Sequence, residues 1–179
     1  MTNKQKFFQN MHLATMEHNK WLSEIKQLTS GYIDSNLDYK KTFLDTNFYF
    51  WFRDIASHLL YEQGLNDLKS IEKMIYHMDG EYISLYNIAI KHRDKNFLGK
   101  YKSLESTEIV ALEKYYNALN VITDKIEKIL TDLEPKIRNL PEDFFEFLTI
   151  VQEKEDKNTH DSSTVKQKSN IGARGAYQE

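Results

Sequence analysis

Apolar residues return every three or four positions along most of this chain, a spacing that puts them on one face of a helix. In the first segment the stripe is Phe7, Met11, Ala14, His18, Trp21, Leu22, Ile25 and Leu28, which predicts a helix over Asn3 to Thr29. "TSGYIDSN" follows, with Gly31 and short polar residues that favour a loop. A second stripe, Leu44, Phe48, Trp51, Phe52, Ile55 and Leu59, predicts one helix from about Tyr39 to Gln63, stopped by Gly64. The short linker "GLNDLK" calls for an antiparallel neighbour. Ser70 is the expected N-cap of a third helix with the stripe Ile71, Ile75, Met78, Tyr82, Leu85 and Ala89, ending near Arg93. A fourth helix, about Ser106 to Leu133, carries Leu112, Tyr116, Leu119, Ile126 and Leu130 on one side. Pro141, Glu142 and Asp143 suit the first turn of a short fifth helix to about Val151. With 6 Gly and 2 Pro there is little material for the turns of a β fold. The expectation is all-α: an antiparallel four-helix bundle with a short fifth helix over residues 1–152, then a disordered polar tail over 153–179.

A chain of 179 residues, 40% of them hydrophobic, buries one proper core. It has no cysteine, which excludes thiolate ligands, disulfides and a cysteine nucleophile. "MTNKQKFFQNMH" lacks a signal-peptide apolar run, and the longest apolar stretch, Phe48 to Phe52, is too short to cross a bilayer. A cytoplasmic protein without a membrane partner is expected. A formal charge of −3 provides no global basic field for polyanions, so a nucleic acid would need a local patch. Neither a glycine-rich phosphate loop nor a serine in a nucleophile elbow is present.

The polar residues that stand out are Arg53, Asp54, His58 and Glu62 in "WFRDIASHLLYEQG", inside the second stripe. "RDIASH" resembles the Rx4H signature of the HEPN superfamily, all-α proteins found among toxin, abortive-infection and phage-defence ribonucleases. "LKSIEKMI" and "IKHRDKNFLGKY" are similar to the layout of abortive-infection members, although Leu98 or Gly99 stands where those carry histidine. The resemblance implies metal-independent RNA cleavage at a homodimer interface, without a cofactor. His58 would move the proton of the ribose 2′-hydroxyl, Arg53 would steady charge on the phosphate, and Asp54 would orient His58. On an ideal continuous helix, Arg53 and His58 stand roughly 140° apart. The plain alternative makes Arg53 a surface cation and His58 a residue flanking the core.

Histidines also suggest metal. His58 and Glu62 lie one turn apart, His77 and Glu81 repeat that spacing, and His18 lies on the first stripe. The order "HNKWLSEIKQL", "HLLYE", "HMDGE" resembles hemerythrin-like proteins, with Glu81 in place of a second histidine and Leu119 and Asp124 where the fourth helix should supply histidine and aspartate. His18, Trp21, "LLYEQG" and His77 also resemble the chemoreceptor-type zinc-binding domain, with Asp54 in place of its cysteine and Glu81 in place of its last histidine. The plain reading makes His18 a core histidine with one nitrogen bonded to a neighbouring side chain. A third class needs no chemistry: an interaction or regulatory protein docking a protein partner through Tyr49, Tyr61, Tyr76 and Tyr86.

Overall fold

The computed structural model describes residues 1–29, 42–90 and 104–146, and among these there are helices, turns and no strand. The protein is all-α. Helix α1 spans Asn3–Thr29, α2 Asn47–Asp54, α3 Leu68–Ile90 and α4 Ser106–Arg138, with 3₁₀ turns at Phe43–Asp45 and Ala56–Tyr61. Two units are distinguishable, Met1–Leu140 and Pro141–Glu179. In the second, residues 142–146 are helical and Phe145 is buried. The rest of the expected fifth helix, the expected loop at Gly31, the end of the third helix near Arg93 and the tail from residue 153 lie outside the described residues.

In the first unit, α3 packs along α4, and α1 packs on both α4 and α2. All eight stripe residues of α1 are buried, and so are all six of α3. On α4 the stripe is wider than expected: Ile122, Thr123, Leu133 and Ile137 join it, whereas Tyr116 is only half-buried. Side chains such as Met78 and Leu85 have no exposed surface, and truncating either to alanine costs about 2–5 kcal/mol.

Helix α4 runs five residues beyond the expected end and carries Pro135 inside it. Proline lacks one N–H and costs about 3 kcal/mol in a helix interior. Here it falls in the last turns, where Leu133 and Ile137 on either side are buried, and their burial offsets that cost. Lys4 then closes the helix from α1, its Nζ donating to the carbonyls of Arg138 at 3.1 Å and Leu140 at 2.6 Å. Arg138 lies over the Phe8 ring at 4.1 Å.

The second helix differs most from expectation. It is not continuous from Tyr39 to Gln63: a 3₁₀ turn precedes it, Thr46 caps α2, and the chain leaves helical geometry at Ile55 (φ −123, ψ −61). Local hydroxyls account for both ends. Thr46 Oγ1 accepts from Tyr49 N at 3.3 Å, which starts α2 there. Ser57 Oγ donates to the Arg53 carbonyl, the acceptor that a continuing helix would give to the Ser57 amide. Ser70, expected as a cap, sits inside α3 instead, and its amide donates to the Asp67 carbonyl at 3.0 Å.

One carboxylate on α3 sets where this broken segment begins. Asp79 Oδ1 accepts from the Phe43 amide at 2.8 Å and from the Thr42 hydroxyl, and Phe43 is fully buried beside it. Substituting Asp79→Ala leaves a part-buried amide and hydroxyl without their acceptor, and is expected to destabilise the fold by about 1–3 kcal/mol. A urea midpoint unchanged from wild type would refute this.

Candidate functional site

The polar residues that stand out in the sequence divide into an exposed group and a buried one. Arg53 is in the last turn of α2, its side chain half exposed, and both Asp54 oxygens accept from its guanidinium, Oδ2 at 2.9 Å. The guanidinium lies 5.8 Å from the Tyr49 ring centre and 5.1 Å from that of Phe50. Because α2 ends at Asp54, the angle calculated for a continuous helix does not describe Arg53 and His58. His58 belongs to the following 3₁₀ turn and is half-buried, with its amide donating to Ile55 O at 3.3 Å. Asp54, expected to orient His58, gives both of its oxygens to Arg53.

The metal-type residues are not brought together. His77 Nε2 lies 3.2 Å from Glu81 Oε1 on its own helix, and His77 is largely exposed. Glu62 sits at the end of the 3₁₀ turn, its amide donating to Leu59 O at 3.1 Å. Among the described residues no group of three or more His, Asp or Glu side chains could hold a metal ion. Of the four tyrosines expected at a docking face, Tyr61 and Tyr76 are exposed, whereas Tyr49 and Tyr86 are half-buried.

His18 is different in kind. Its ring is 1% exposed, with Nε2 2.9 Å from Thr123 Oγ1 on α4. Trp21 stacks on it at 5.6 Å and 24°, Phe43 meets it edge-on at 5.5 Å, and Phe48 closes in at 5.0 Å. A core histidine bonded through one nitrogen is what the plain reading expected, and the ligand role in a metal cluster is not supported. Burial in this aromatic cluster penalises the charged ring and lowers its pKa from 6.5 to about 4. At neutral pH the imidazole is uncharged.

Beside this ring lies a cavity of about 210 Å³ lined by Glu17, His18, Trp21, Glu24, Ile25, Asp45, Thr46, Asn47, Phe48 and Tyr82. Three elements make it: α1, the start of α2 with the turn before it, and α3. Asn47 Nδ2 donates to Glu17 Oε2 at 2.7 Å and ties the first two together. Two of the lining residues carry a buried nitrogen that lacks a partner among the described residues, His18 Nδ1 and Trp21 Nε1, and neither atom is open to solvent. Trp51 Nε1 is a further such atom, but Trp51 is not part of this wall. Sequence reasoning found His18 and Trp21 as stripe residues and as members of the metal-binding resemblances, not as the lining of a cavity. Asp45 and Asn47 were missed because the second helix was expected to run unbroken through them, and Glu17 and Glu24 because the turn that faces them across from α1 was not expected. The signal that could have found the turn was "DTN", a cap-type threonine before an aromatic run.

No family model matches the chain, and no curated protein or solved structure matches it.

The lowered His18 pKa makes stability depend on pH with a definite sign. The unfolded chain binds a proton near the ordinary value of 6.5, whereas the folded chain resists it until about 4. This contribution is therefore fully present above 6.5 and is lost as pH falls between those values. Between pH 7 and pH 5 the loss amounts to about 2 kcal/mol. Urea midpoints taken across that range should show it for the wild type, with a shallower slope for His18→Gln; equal slopes would remove His18 as the cause.

Proposed function

We propose that the protein is a binding module, and that the cavity beside His18 is where its ligand sits. One observation carries this reading: a space of about 210 Å³ lies between three elements of the fold, walled by Trp21, Phe48 and Tyr82, with Glu17, Glu24, Asp45 and Asn47 among its lining residues. Aromatic walls with a few polar groups are the usual composition of a small-molecule site. At about 210 Å³ the cavity takes a small molecule and excludes a folded segment of another chain.

The two tryptophans make a built-in comparison, because Trp21 lines the cavity and Trp51 does not. In a fragment screen by ¹H–¹⁵N NMR, cavity ligands should shift the Trp21 indole N–H and leave that of Trp51 in place. A ligand present at about a hundred times its dissociation constant should add roughly 2.7 kcal/mol to stability. If no fragment at millimolar concentration moves the Trp21 signal, the binding reading fails.

A second reading is metal-independent RNA cleavage by Arg53 and His58 in a homodimer. What favours it is the half-exposed Arg53 guanidinium flanked by the Tyr49 and Phe50 rings, a cation beside aromatics at which a phosphate and an unstacked base could dock. Single-stranded RNA incubated in EDTA should then be cleaved by a dimeric wild type and spared by His58→Ala at unchanged helicity. Cleavage that survives the substitution would exclude His58 from the reaction.

A further inference from the structure

We infer that the outer face of α3, centred on Gly80, is an interface at which two copies of this chain pack their α3 helices antiparallel. This surface is separate from the cavity beside His18, to which α3 contributes Tyr82 from its buried side. The inference does not depend on the binding reading.

Its starting point is a glycine with no use inside one chain. Gly80 lies in the middle of α3, yet only proline is a poorer helix former. A glycine earns such a place through a left-handed backbone or through the close approach of a neighbour. The backbone gives no reason, since Gly64 is the positive-φ glycine among the described residues. Packing within the chain gives none either, because a Cβ at Gly80 would meet nothing within 4 Å among those residues. What is left is a close approach from outside the chain.

At about 100° per residue, Gly80 points directly away from the buried stripe of Ile71, Ile75, Met78, Tyr82, Leu85 and Ala89. One turn to either side of it on the outer face stand Tyr76, 60% exposed, and Ile83, 39% exposed. Ser84 lies beside them with its hydroxyl turned back onto the Gly80 carbonyl at 2.9 Å. A notch between two projecting apolar side chains is a surface that a second helix fills ridge into groove, at an axial separation of about 8–10 Å.

The occupant is a second copy because one stripe carries both the projection and the notch. Such a surface is complementary to itself, as a closed two-fold contact requires. An antiparallel crossing that seats Tyr76 on the partner's Gly80 seats the partner's Tyr76 on Gly80 by symmetry. Charge selects this direction. Lys69 and Lys73 are exposed in the amino half of the face, and the first turn of α3 holds no acidic residue. Parallel pairing would set Lys73 against the partner's Lys73 and Gly80 against the partner's Gly80, opposing like charges over an empty notch. Antiparallel pairing sets Lys73 beside the partner's Ile83 and Ser84, on the same rim as the partner's Glu81. It also carries Lys69 toward the partner's Asn87, at the negative end of that helix. Glu81 is already placed for the contact, lying 3.2 Å from His77 Nε2 on its own helix. Opposite charges arranged in this way fix the register of an interface more than they add affinity.

The test is sedimentation equilibrium of the full chain from about 1 μM to about 1 mM, where the wild type should show a monomer–dimer equilibrium. Gly80→Ala should act in opposite directions on the two states. It should raise the urea midpoint of the dilute monomer, because alanine favours the helix, and weaken the dimer about tenfold, because the added methyl occupies the notch. Tyr76→Ala should weaken the dimer while leaving helicity intact. Lys73→Glu should also weaken it, and adding Glu81→Lys should restore it. A chain that stays monomeric at the highest concentration overturns the inference. A dimer that Gly80→Ala or Tyr76→Ala leaves unchanged overturns it as well, since its contacts then lie elsewhere. Failure of the charge exchange to restore association overturns the antiparallel arrangement.

Discussion

A neutral imidazole sealed among aromatic rings is the constraint that the first unit is arranged around. Burying a polar ring costs free energy unless it is hydrogen-bonded, and His18 meets that condition through its bond to Thr123. The bond joins α1 to α4 across 105 residues of sequence. Around the ring, Trp21 comes from α1, Phe43 from the turn before α2, and Phe48 from α2 itself. Tyr82 of α3 then packs against Trp21. Every described α-helix of this unit therefore contributes to the surroundings of one side chain. The same enclosure fixes the charge state, since a protonated ring would be a cation with hydrocarbon on most sides.

What begins as packing leaves a cavity because the helix carrying Phe48 starts where it does. A second helix running unbroken from Tyr39 would leave no turn at Asp45 and no cap at Thr46. Asp79 prevents that by holding the Thr42 hydroxyl and the Phe43 amide at the entrance to the segment. Thr46 then restarts the helix, and Asn47 reaches Glu17. Local capping chemistry and one long-range carboxylate thus shape the cavity beside His18.

The long helices α1 and α3 were legible in the sequence, because their burial follows the apolar period without exception at the residues named. Residues Ala56–Tyr61 were not, since nothing there breaks a helical pattern: no glycine or proline intervenes before Gly64, and the deciding event is a serine hydroxyl bonding backward. Helix α4 departs in the opposite direction, running beyond its expected end because buried Leu133 and Ile137 hold it together past Pro135. For the site, the polarity of His18 on an apolar stripe was visible, whereas its partner Thr123 was not. A hydroxyl so distant in sequence leaves no periodic mark. Arg53 and Asp54 end α2 and His58 lies in the 3₁₀ turn after it, so a motif that is continuous in sequence spans a change in helical geometry.

The contrast between the two polar clusters is a matter of where polarity is expensive. Arg53 and Asp54 are substantially solvated, and an exposed pair of that kind contributes between nothing and about 1 kcal/mol, so stability neither requires nor forbids it. Their arrangement is compatible with an ordinary surface. At His18 and Trp21 the fold keeps polar atoms in its core: Nε2 of His18 has Thr123 as its partner, whereas His18 Nδ1 and Trp21 Nε1 lack one among the described residues, at about 1–3 kcal/mol each. Both nitrogens are closed to solvent, so that cost is set against the burial of the two aromatic rings that carry them.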